Sequence, residues 1–231
     1  MQPSQPARDP SGPPPLLPHR GTGTRVWLVR HAEVHEDWQG KAYGCLDVPL
    51  SEDGLARTRE FAKALGSLPP DAVMSSPLQR AKQLADGIVE TSGAPLTVDE
   101  RLAEINRGDW QGLRVEELHE RFEDEVRLFY GDPWSYRGHG GENDAMVFER
   151  AFAALDQALV DSGSERSLVF TTHYNVIRVL TARALDIDPA RSFGLRVDPA
   201  HGVMLVDGAN GWDLHHSNAF APIENHGSDL L

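Results

Sequence analysis

Short apolar runs alternate with amphipathic stretches along most of the chain, and this alternation limits the fold more than any other feature. The run Val26–Val29 is continuously apolar, as expected for a strand that is covered on both faces. The run "RSLVFTT" has the same character, and the stretch "GVMLVDGANGWDLHHSN" reads as two strands joined at an Asn210-Gly211 turn. Strands that alternate with helices predict an α/β fold, a three-layer α/β/α sandwich with a mostly parallel mixed sheet.

Two helices between these strands carry clear start signals. Ser51 is placed as an N-cap of the stretch "SEDGLARTREFAKALGSLPP", and the two prolines at its end predict where it stops. In "SSPLQRAKQLADGIV", Ser76 is the expected N-cap, Pro77 the first helical residue and Gln79 the capping-box residue. These signals predict the ends of the two elements without reference to the rest of the chain.

The length and the distribution of residue types predict one domain after a tail. Residues 1–23 are rich in proline, glycine and serine, and we expect them to be a disordered tail. Residues 24–231 are long enough for one large α/β domain and contain no internal repeat.

Charge and cysteine content exclude several classes of protein. The net charge of −13 argues against a nucleic-acid binder, which needs a basic surface. No apolar run reaches the roughly 18 residues of a membrane span, so we expect no membrane insertion. Cys45 is the only cysteine, which fits a reducing compartment, and we expect a cytoplasmic location. No feature of the sequence indicates an oligomeric state.

Polar side chains follow the predicted strands at the places where α/β sheets collect their chemistry. Arg30 and His31 follow the first strand, Arg80 lies in the first turn of a helix, Glu104 follows the third strand, and His173 follows a later strand. Each residue alone has an ordinary structural explanation. Two guanidinium groups, two imidazoles and two helix N-termini at one sheet edge together predict a pocket for a tetrahedral phosphate dianion.

The same residues carry a family resemblance. "LVRHAE" resembles the LVRHGE signature of the histidine phosphatase superfamily, the phosphoglycerate-mutase-like fold. The segments "GCLDVPLSEDGL", "SSPLQRAKQLADGI", "RLAEINRGDWQGL", "GHGGEN" and "VFTTHYNVIRVLTARAL" resemble further motifs of that family in the same order, over about residues 25–218. The forms "GDWQG" and "GHGGEN" look most like the small bacterial phosphatases of the α-ribazole phosphatase and broad-specificity type.

The resemblance implies a role for each residue of the predicted pocket. His31 would be the nucleophile that forms a phosphohistidine, and Glu104 would be the general acid and base. Arg30, Arg80 and His173 would hold the phosphoryl oxygens. No metal or other cofactor is implied, and no metal-ligand spacing appears in the sequence.

The resemblance also implies where the rest of the substrate binds. Tyr43 and Gly44 match positions at which relatives contact substrate, and the fold has a helical lid insertion, here over about residues 113–145. Its loop offers four candidate substrate contacts: Trp134, Tyr136, Arg137 and His139.

The chain departs from the family pattern at two places. Asp37 stands where mutases have an asparagine that helps to hold phosphate, and an ionised Asp37 would repel a dianion. Tyr174 and Asn175 follow the second histidine, where glycine and a small residue are usual. We expect Tyr174 to form part of the pocket wall and Asn175 to cap the helix.

The leading prediction is a metal-independent phosphatase that acts on small-molecule phosphate esters. A phosphoglycerate mutase is the second enzyme hypothesis. It ranks below the phosphatase because the longer lid motifs of such mutases are missing. A non-catalytic relative that binds a phosphorylated ligand or a protein is the alternative from another class, and it predicts the loss of a catalytic residue. None of the expected catalytic residues is lost.

Overall fold

The computed structural model describes residues 13–220, in which six strands form one mixed sheet. The strands are β1 (Arg25–Arg30), β2 (Ala72–Ser75), β3 (Leu96–Val98), β4 (Ser167–Thr172), β5 (Gly202–Gly208) and β6 (Gly211–Ala219). Their order across the sheet is β3-β2-β4-β1-β5-β6. The first four run parallel, and β5 and β6 add an antiparallel hairpin. The predicted mixed sheet is confirmed.

Helices cover both faces of this sheet. They are α1 (Glu52–Gly66), α2 (Gln79–Ser92), α3 (Val115–Arg121), α4 (Glu123–Gly131), α5 (Asp144–Ser162) and α6 (Tyr174–Ala184). Alternate residues of β1 face opposite layers, since Val26 and Leu28 pack with α5 and α6 while Trp27 and Val29 pack with α1 and α2. This arrangement is the predicted three-layer sandwich. Within the described residues, no helix combines the length and the apolar character needed to cross a membrane.

The helix α2 begins later than the start signals predict. Its first residue is Gln79 and its N-cap is Leu78, which makes no side-chain cap bond. The hydroxyl of Ser76 instead lies 2.7 Å from Nε2 of His173 and accepts the Leu78 N–H. The prediction of Ser76 as the helix N-cap is therefore wrong, because a residue from another strand end engages its hydroxyl.

The hairpin turn also differs from its prediction by one residue. Gly208 pairs with Gly211, so that Gly211 already belongs to β6. The two-residue connection is therefore Ala209-Asn210 rather than Asn210-Gly211.

Part of the expected tail is ordered against the sheet. Disorder was expected over residues 1–23, of which those from Pro13 onward are described. Leu17 is buried, and its N–H donates to the carbonyl of Arg183 over 2.8 Å. The carboxylate of Asp207 accepts three backbone N–H bonds from this segment, at 2.8 to 3.1 Å. Composition does not reveal these distant partners. The expectation of disorder is therefore wrong for residues 13–23. The first twelve residues lie outside the described chain.

The segment expected to form the lid, about residues 113–145, contains α3, α4 and the loop that leads to α5. It has a small core of its own, in which Leu118, Val126 and Phe129 pack with Trp110. This core places the two helices beside the sheet edge at which the parallel strands end.

Candidate active site

The two histidines come together because they follow neighbouring parallel strands. Arg30 at the end of β1 is in register with Thr172 at the end of β4, so that His31 and His173 follow these strands side by side. Their ring centroids are 5.2 Å apart. Both side chains are buried, with 2% and 0% of the residue exposed.

The hydrogen bonds of His31 assign its tautomer. Its Nδ1 lies 2.6 Å from the carbonyl oxygen of Ala32, and this oxygen can only accept, so Nδ1 carries the proton. The Nε–H of Arg80 donates to Nε2 over 3.3 Å. The electron pair of His31 is therefore on Nε2, where it accepts the hydrogen bond from Arg80.

Arg80 is fully buried in the first turn of α2 and holds the preceding loop in place. Its two terminal nitrogens donate to the carbonyls of Leu46 and Gly44 over 2.7 and 2.8 Å. Its guanidinium lies 5.2 Å from the centre of the Tyr43 ring. Burial lowers the pKa of Arg80, and the negative charge of Glu104 opposes this change. The loop that contains Tyr43 and Gly44 is thus fixed to a site cation.

Burial and nearby cations keep both histidines neutral. Burial is the largest cause that lowers the pKa of His31 well below 6.5, followed by the charges of Arg80 and Arg30. Burial likewise lowers the pKa of His173, followed by the charge of Arg80 and the neighbouring imidazole. A neutral imidazole has the electron pair that a nucleophile needs.

Glu104 lies at the same edge in the loop after β3. Its Oε1 accepts the N–H of Ile105 over 2.8 Å. Its Oε2 accepts the side-chain and backbone N–H groups of Asn175 over 3.3 and 3.4 Å. Glu104 is 7% exposed and lines a pocket, so the carboxyl group is oriented but open to a small molecule.

Asn175 does not cap α6, which corrects the expectation for this residue. The N-cap of α6 is His173, and it makes no side-chain cap bond. The Asn175 side chain donates to Glu104, as described above, and its Oδ1 accepts from Arg107 and Arg178 over 3.1 and 3.3 Å. Two of these ionic groups, Glu104 and Arg107, come from a distant part of the chain, and a helix-start pattern cannot reveal them.

Arg30 and Tyr174 form one wall of the site. Arg30 donates to the carbonyl of Val197 over 2.7 Å, and its guanidinium lies 5.4 Å from the centre of the Tyr174 ring. The Tyr174 hydroxyl donates to the Phe193 carbonyl over 3.4 Å. The Nε of Arg30 and the Nδ1 of His173 are buried and have no hydrogen-bond partner within residues 13–220. Both nitrogens are suited to meet oxygens of a bound anion.

A pocket of about 230 Å³ opens at this edge. The expected site residues that line it are Arg30, Tyr43, Gly44, Glu104 and Tyr174. From the lid segment, the lining residues include Phe129 and Tyr130, which are on α4.

The lid loop does not supply the side chains that the sequence analysis singled out. Trp134 packs on Phe148, and Tyr136 and His139 pack around Trp110, outside the pocket lining. Arg137 donates to the carbonyl of Gly141 instead. These four side chains do not line this pocket, and the aromatic ones are used in packing, so a substrate contact from this loop stays a prediction.

Sequence reasoning missed Arg107, which lines the pocket next to Glu104. The available signal was a cation inside the motif "EINRGDW", three residues after the carboxylate. Asp37, the first departure from the family pattern, is exposed and lies 3.4 Å from Nδ1 of His35. In the described chain, no group of three or more histidine, cysteine, aspartate or glutamate side chains could hold a metal ion.

Comparison with known proteins identifies the family. A model of the histidine phosphatase superfamily (branch 1) matches residues 26–219. The chain therefore belongs to the histidine phosphatase superfamily, as its motifs predict.

Relatives and solved structures agree with this assignment. Phosphoserine phosphatase 1 of Hydrogenobacter thermophilus is 30% identical over 176 residues, which are 76% of this chain and 83% of that protein. The adenosylcobalamin/alpha-ribazole phosphatase of Salmonella typhimurium is 28% identical over 178 residues, which are 75% of this chain and 86% of that protein. The native structure of mycobacterial glucosyl-3-phosphoglycerate phosphatase is 30% identical with a TM-score of 0.74, over 85% of this chain and 99% of that one. These similarities show a phosphatase family and the fold that was predicted.

Proposed function

We propose that this protein is a phosphatase that hydrolyses small-molecule phosphate monoesters through a phosphohistidine on His31. The observation that carries the proposal is the pair of contacts made by that imidazole. Ala32 holds the proton on Nδ1, and Arg80 faces the electron pair on Nε2. A buried neutral imidazole with a cation at its reactive nitrogen is suited to attack a phosphoryl group.

The first chemical step transfers the phosphoryl group to His31. The Arg80 N–H moves from Nε2 to a phosphoryl oxygen, Nε2 bonds to phosphorus, and the bond between phosphorus and the ester oxygen breaks. Arg30, Arg80 and His173 bind the three phosphoryl oxygens, with unpartnered nitrogens available on Arg30 and His173. Glu104 gives its proton to the leaving oxygen, so that a neutral alcohol departs.

The second step returns the enzyme to its starting state. Glu104, now ionised, takes a proton from a water molecule that attacks phosphorus, and the bond between phosphorus and Nε2 breaks. Inorganic phosphate leaves, and His31 regains its electron pair while Nδ1 keeps its proton. The proton that Glu104 gives in the first step is thus recovered in the second.

The pocket supports a small substrate. Tyr43, Gly44 and Tyr174 would contact the alcohol part of the ester, since they line the pocket beside Glu104. The proposed partners are therefore small phosphate esters and not nucleic acids, in agreement with the negative net charge. The proposed location is the cytoplasm, which the single cysteine supports.

Trapping of the intermediate tests the mechanism. Purified protein is mixed with glycerol 3-phosphate radiolabelled in the phosphoryl group and is denatured at alkaline pH. We expect label on the protein that survives base and is released by acid. His31→Ala should carry no label, whereas His35→Ala, a change at an exposed histidine, should label like wild type. Full hydrolytic activity in His31→Ala would refute the assigned nucleophile.

The products separate this proposal from its two rivals. With 3-phosphoglycerate as substrate, a phosphatase releases inorganic phosphate, whereas a mutase forms 2-phosphoglycerate. A protein that neither becomes labelled nor hydrolyses any ester of a broad panel is a non-catalytic relative, and the proposal then fails.

A further inference from the structure

Arg107 is a pocket residue to which the proposed chemistry gives no task. It lies in the loop after Glu104 and lines the 230 Å³ pocket. Its guanidinium lies 4.6 Å from the centre of the Phe129 ring, and one terminal nitrogen donates to Oδ1 of Asn175 over 3.1 Å. The side chain is therefore held from two sides, by an aromatic ring of the lid segment and by an amide of α6.

The other terminal nitrogen of Arg107, Nη1, is buried and has no hydrogen-bond partner within the described residues. Two other arginines of the described chain have carboxylate partners, since Arg178 pairs with Asp144 and Arg150 pairs with Glu142. Over residues 13–220, no carboxylate forms such an ion pair with Arg107 at 4.0 Å or less. A buried guanidinium nitrogen without a hydrogen-bond partner is costly for a protein unless a ligand supplies the partner.

The charges around the pocket favour an anion. Arg30, Lys41 and Arg107 line it, and Glu104 is the one acidic residue in the lining, within the described chain. This cationic surface belongs to a protein whose net charge is −13, so it is a local feature. Arg30 is assigned to the phosphoryl group, which leaves Lys41 and Arg107 for a different anion. Of these two, only Arg107 has a buried nitrogen without a hydrogen-bond partner within the described residues.

The position of Arg107 indicates which part of the substrate it meets. Asn175 donates to Oε2 of Glu104 and accepts from Arg107, so one side chain joins the two. Glu104 faces the leaving oxygen in the proposed mechanism. Arg107 therefore lies on the leaving-group side of the site, next to the alcohol part of the ester.

We propose that Arg107 is a specificity-determining residue that binds a carboxylate on the alcohol part of the substrate. The preferred substrates are then small phosphomonoesters of hydroxy acids rather than of neutral alcohols. The planar guanidinium matches a carboxylate, and Phe129 and Asn175 hold it in place for that contact. This inference rests on the proposed phosphatase function.

Matched esters test the inference on the wild-type protein. 3-Phosphoglycerate has a carboxylate where glycerol 3-phosphate has a hydroxymethyl group. Phosphoserine has a carboxylate where phosphoethanolamine has a hydrogen atom. We expect kcat/KM to be about 10- to 100-fold higher for the acid of each pair, as expected for one charge-assisted contact. Equal rates within each pair would overturn the inference and leave the phosphatase function intact. Failure to hydrolyse all four esters and p-nitrophenyl phosphate would count against the phosphatase function itself.

Substitution of Arg107 tests whether this residue causes the preference for esters with a carboxylate. Arg107→Met keeps an apolar stem against Phe129 and removes the charge, and we expect the ratio within each pair to fall to about 3-fold or less. Arg107→Lys should keep part of the preference, and it serves as the second variant if the methionine variant does not fold. Arg121→Met, at an exposed arginine of α3, should keep the wild-type ratio. A ratio that stays at the wild-type value in Arg107→Met would overturn the assignment.

Discussion

Nε of Arg80 donates to Nε2 of His31 over 3.3 Å, so the guanidinium contacts the nitrogen that the proposed mechanism uses as nucleophile. The same guanidinium binds two carbonyls of the loop that lines the pocket. One side chain thus orients the imidazole and shapes the substrate site.

Replacement of Arg80 by lysine tests this double role. A lysine keeps the charge but offers one ammonium in place of a planar fork, so it cannot donate to His31, Gly44 and Leu46 in the same geometry. For Arg80→Lys we expect kcat/KM with p-nitrophenyl phosphate to fall about 100- to 1000-fold. Arg59→Lys, at an exposed position of α1, should change the rate by less than about 2-fold. A rate near wild type in Arg80→Lys would show that the planar guanidinium of Arg80 is not needed for hydrolysis.

The rate lost when Glu104 can no longer donate a proton should depend on the leaving group. A poor leaving group such as the alkoxide of glycerol 3-phosphate needs a proton, whereas p-nitrophenolate leaves without one. We therefore expect Glu104→Gln to reduce kcat/KM, which reports on phosphoryl transfer to His31, about 100- to 10,000-fold for the alkyl ester and much less for p-nitrophenyl phosphate. Glu36→Gln, at an exposed carboxylate, should affect neither substrate. An equal loss of kcat/KM with both esters would argue against proton donation by Glu104.

The buried ion pair behind the site should contribute strongly to stability. Arg178 and Asp144 make two hydrogen bonds at 2.6 and 2.8 Å, and the side chains are 0% and 1% exposed. Asp144→Ala leaves a buried guanidinium unpaired, so we expect the free energy of unfolding to fall by about 3–5 kcal/mol in urea titrations.

An exposed pair provides the comparison for that measurement. Arg127 and Asp124 lie 2.6 Å apart with side chains that are 76% and 85% exposed, and Asp124→Ala should cost less than about 1 kcal/mol. The double variant Asp144→Ala/Arg178→Met should be more stable than Asp144→Ala, because it removes the unpaired charge. Equal losses in Asp144→Ala and Asp124→Ala would contradict the importance of burial.

The two buried histidines should make stability fall in acid. Burial lowers the pKa of His31 and of His173 well below 6.5 in the folded state, whereas an unfolded histidine titrates near 6.5. Above about pH 6.5 both states are neutral, and the histidines contribute no pH dependence. Below that pH the unfolded state binds the protons first, so the free energy of unfolding falls by up to about 1.4 kcal/mol per histidine and pH unit.

Urea titrations between pH 7 and pH 5 measure this effect. His173→Gln removes one titrating group and should make the decrease shallower by up to about 1.4 kcal/mol per pH unit. His139 is buried as well, and burial lowers its pKa to about 4, so His139→Gln should flatten the same curve. An unchanged slope in both variants would show that other groups cause the acid sensitivity.

Much of the fold could be read from local patterns. The apolar run of β1 predicts a strand covered on both faces, because each of its side chains must leave water whichever face it points to. Ser51 caps α1 as predicted, since its hydroxyl oxygen accepts the Gly54 N–H, and the two residues are only three positions apart in the chain. By contrast, the order of residues 13–23 depends on Asp207, almost 190 positions away, and composition alone does not reveal such a partner.

The sequence by itself determined the family, the sandwich fold and the set of residues that meet at one sheet edge, because motifs and strand ends are local properties of the chain. Only the tertiary structure decided what Ser76, Asn175 and Arg107 contact. The Ser76 hydroxyl contacts His173 rather than capping a helix. Asn175 donates to Glu104 and accepts from Arg107 rather than capping α6. The physical reason is that a polar side chain bonds to the donors and acceptors that folding brings within about 3 Å, and these come from distant parts of the chain.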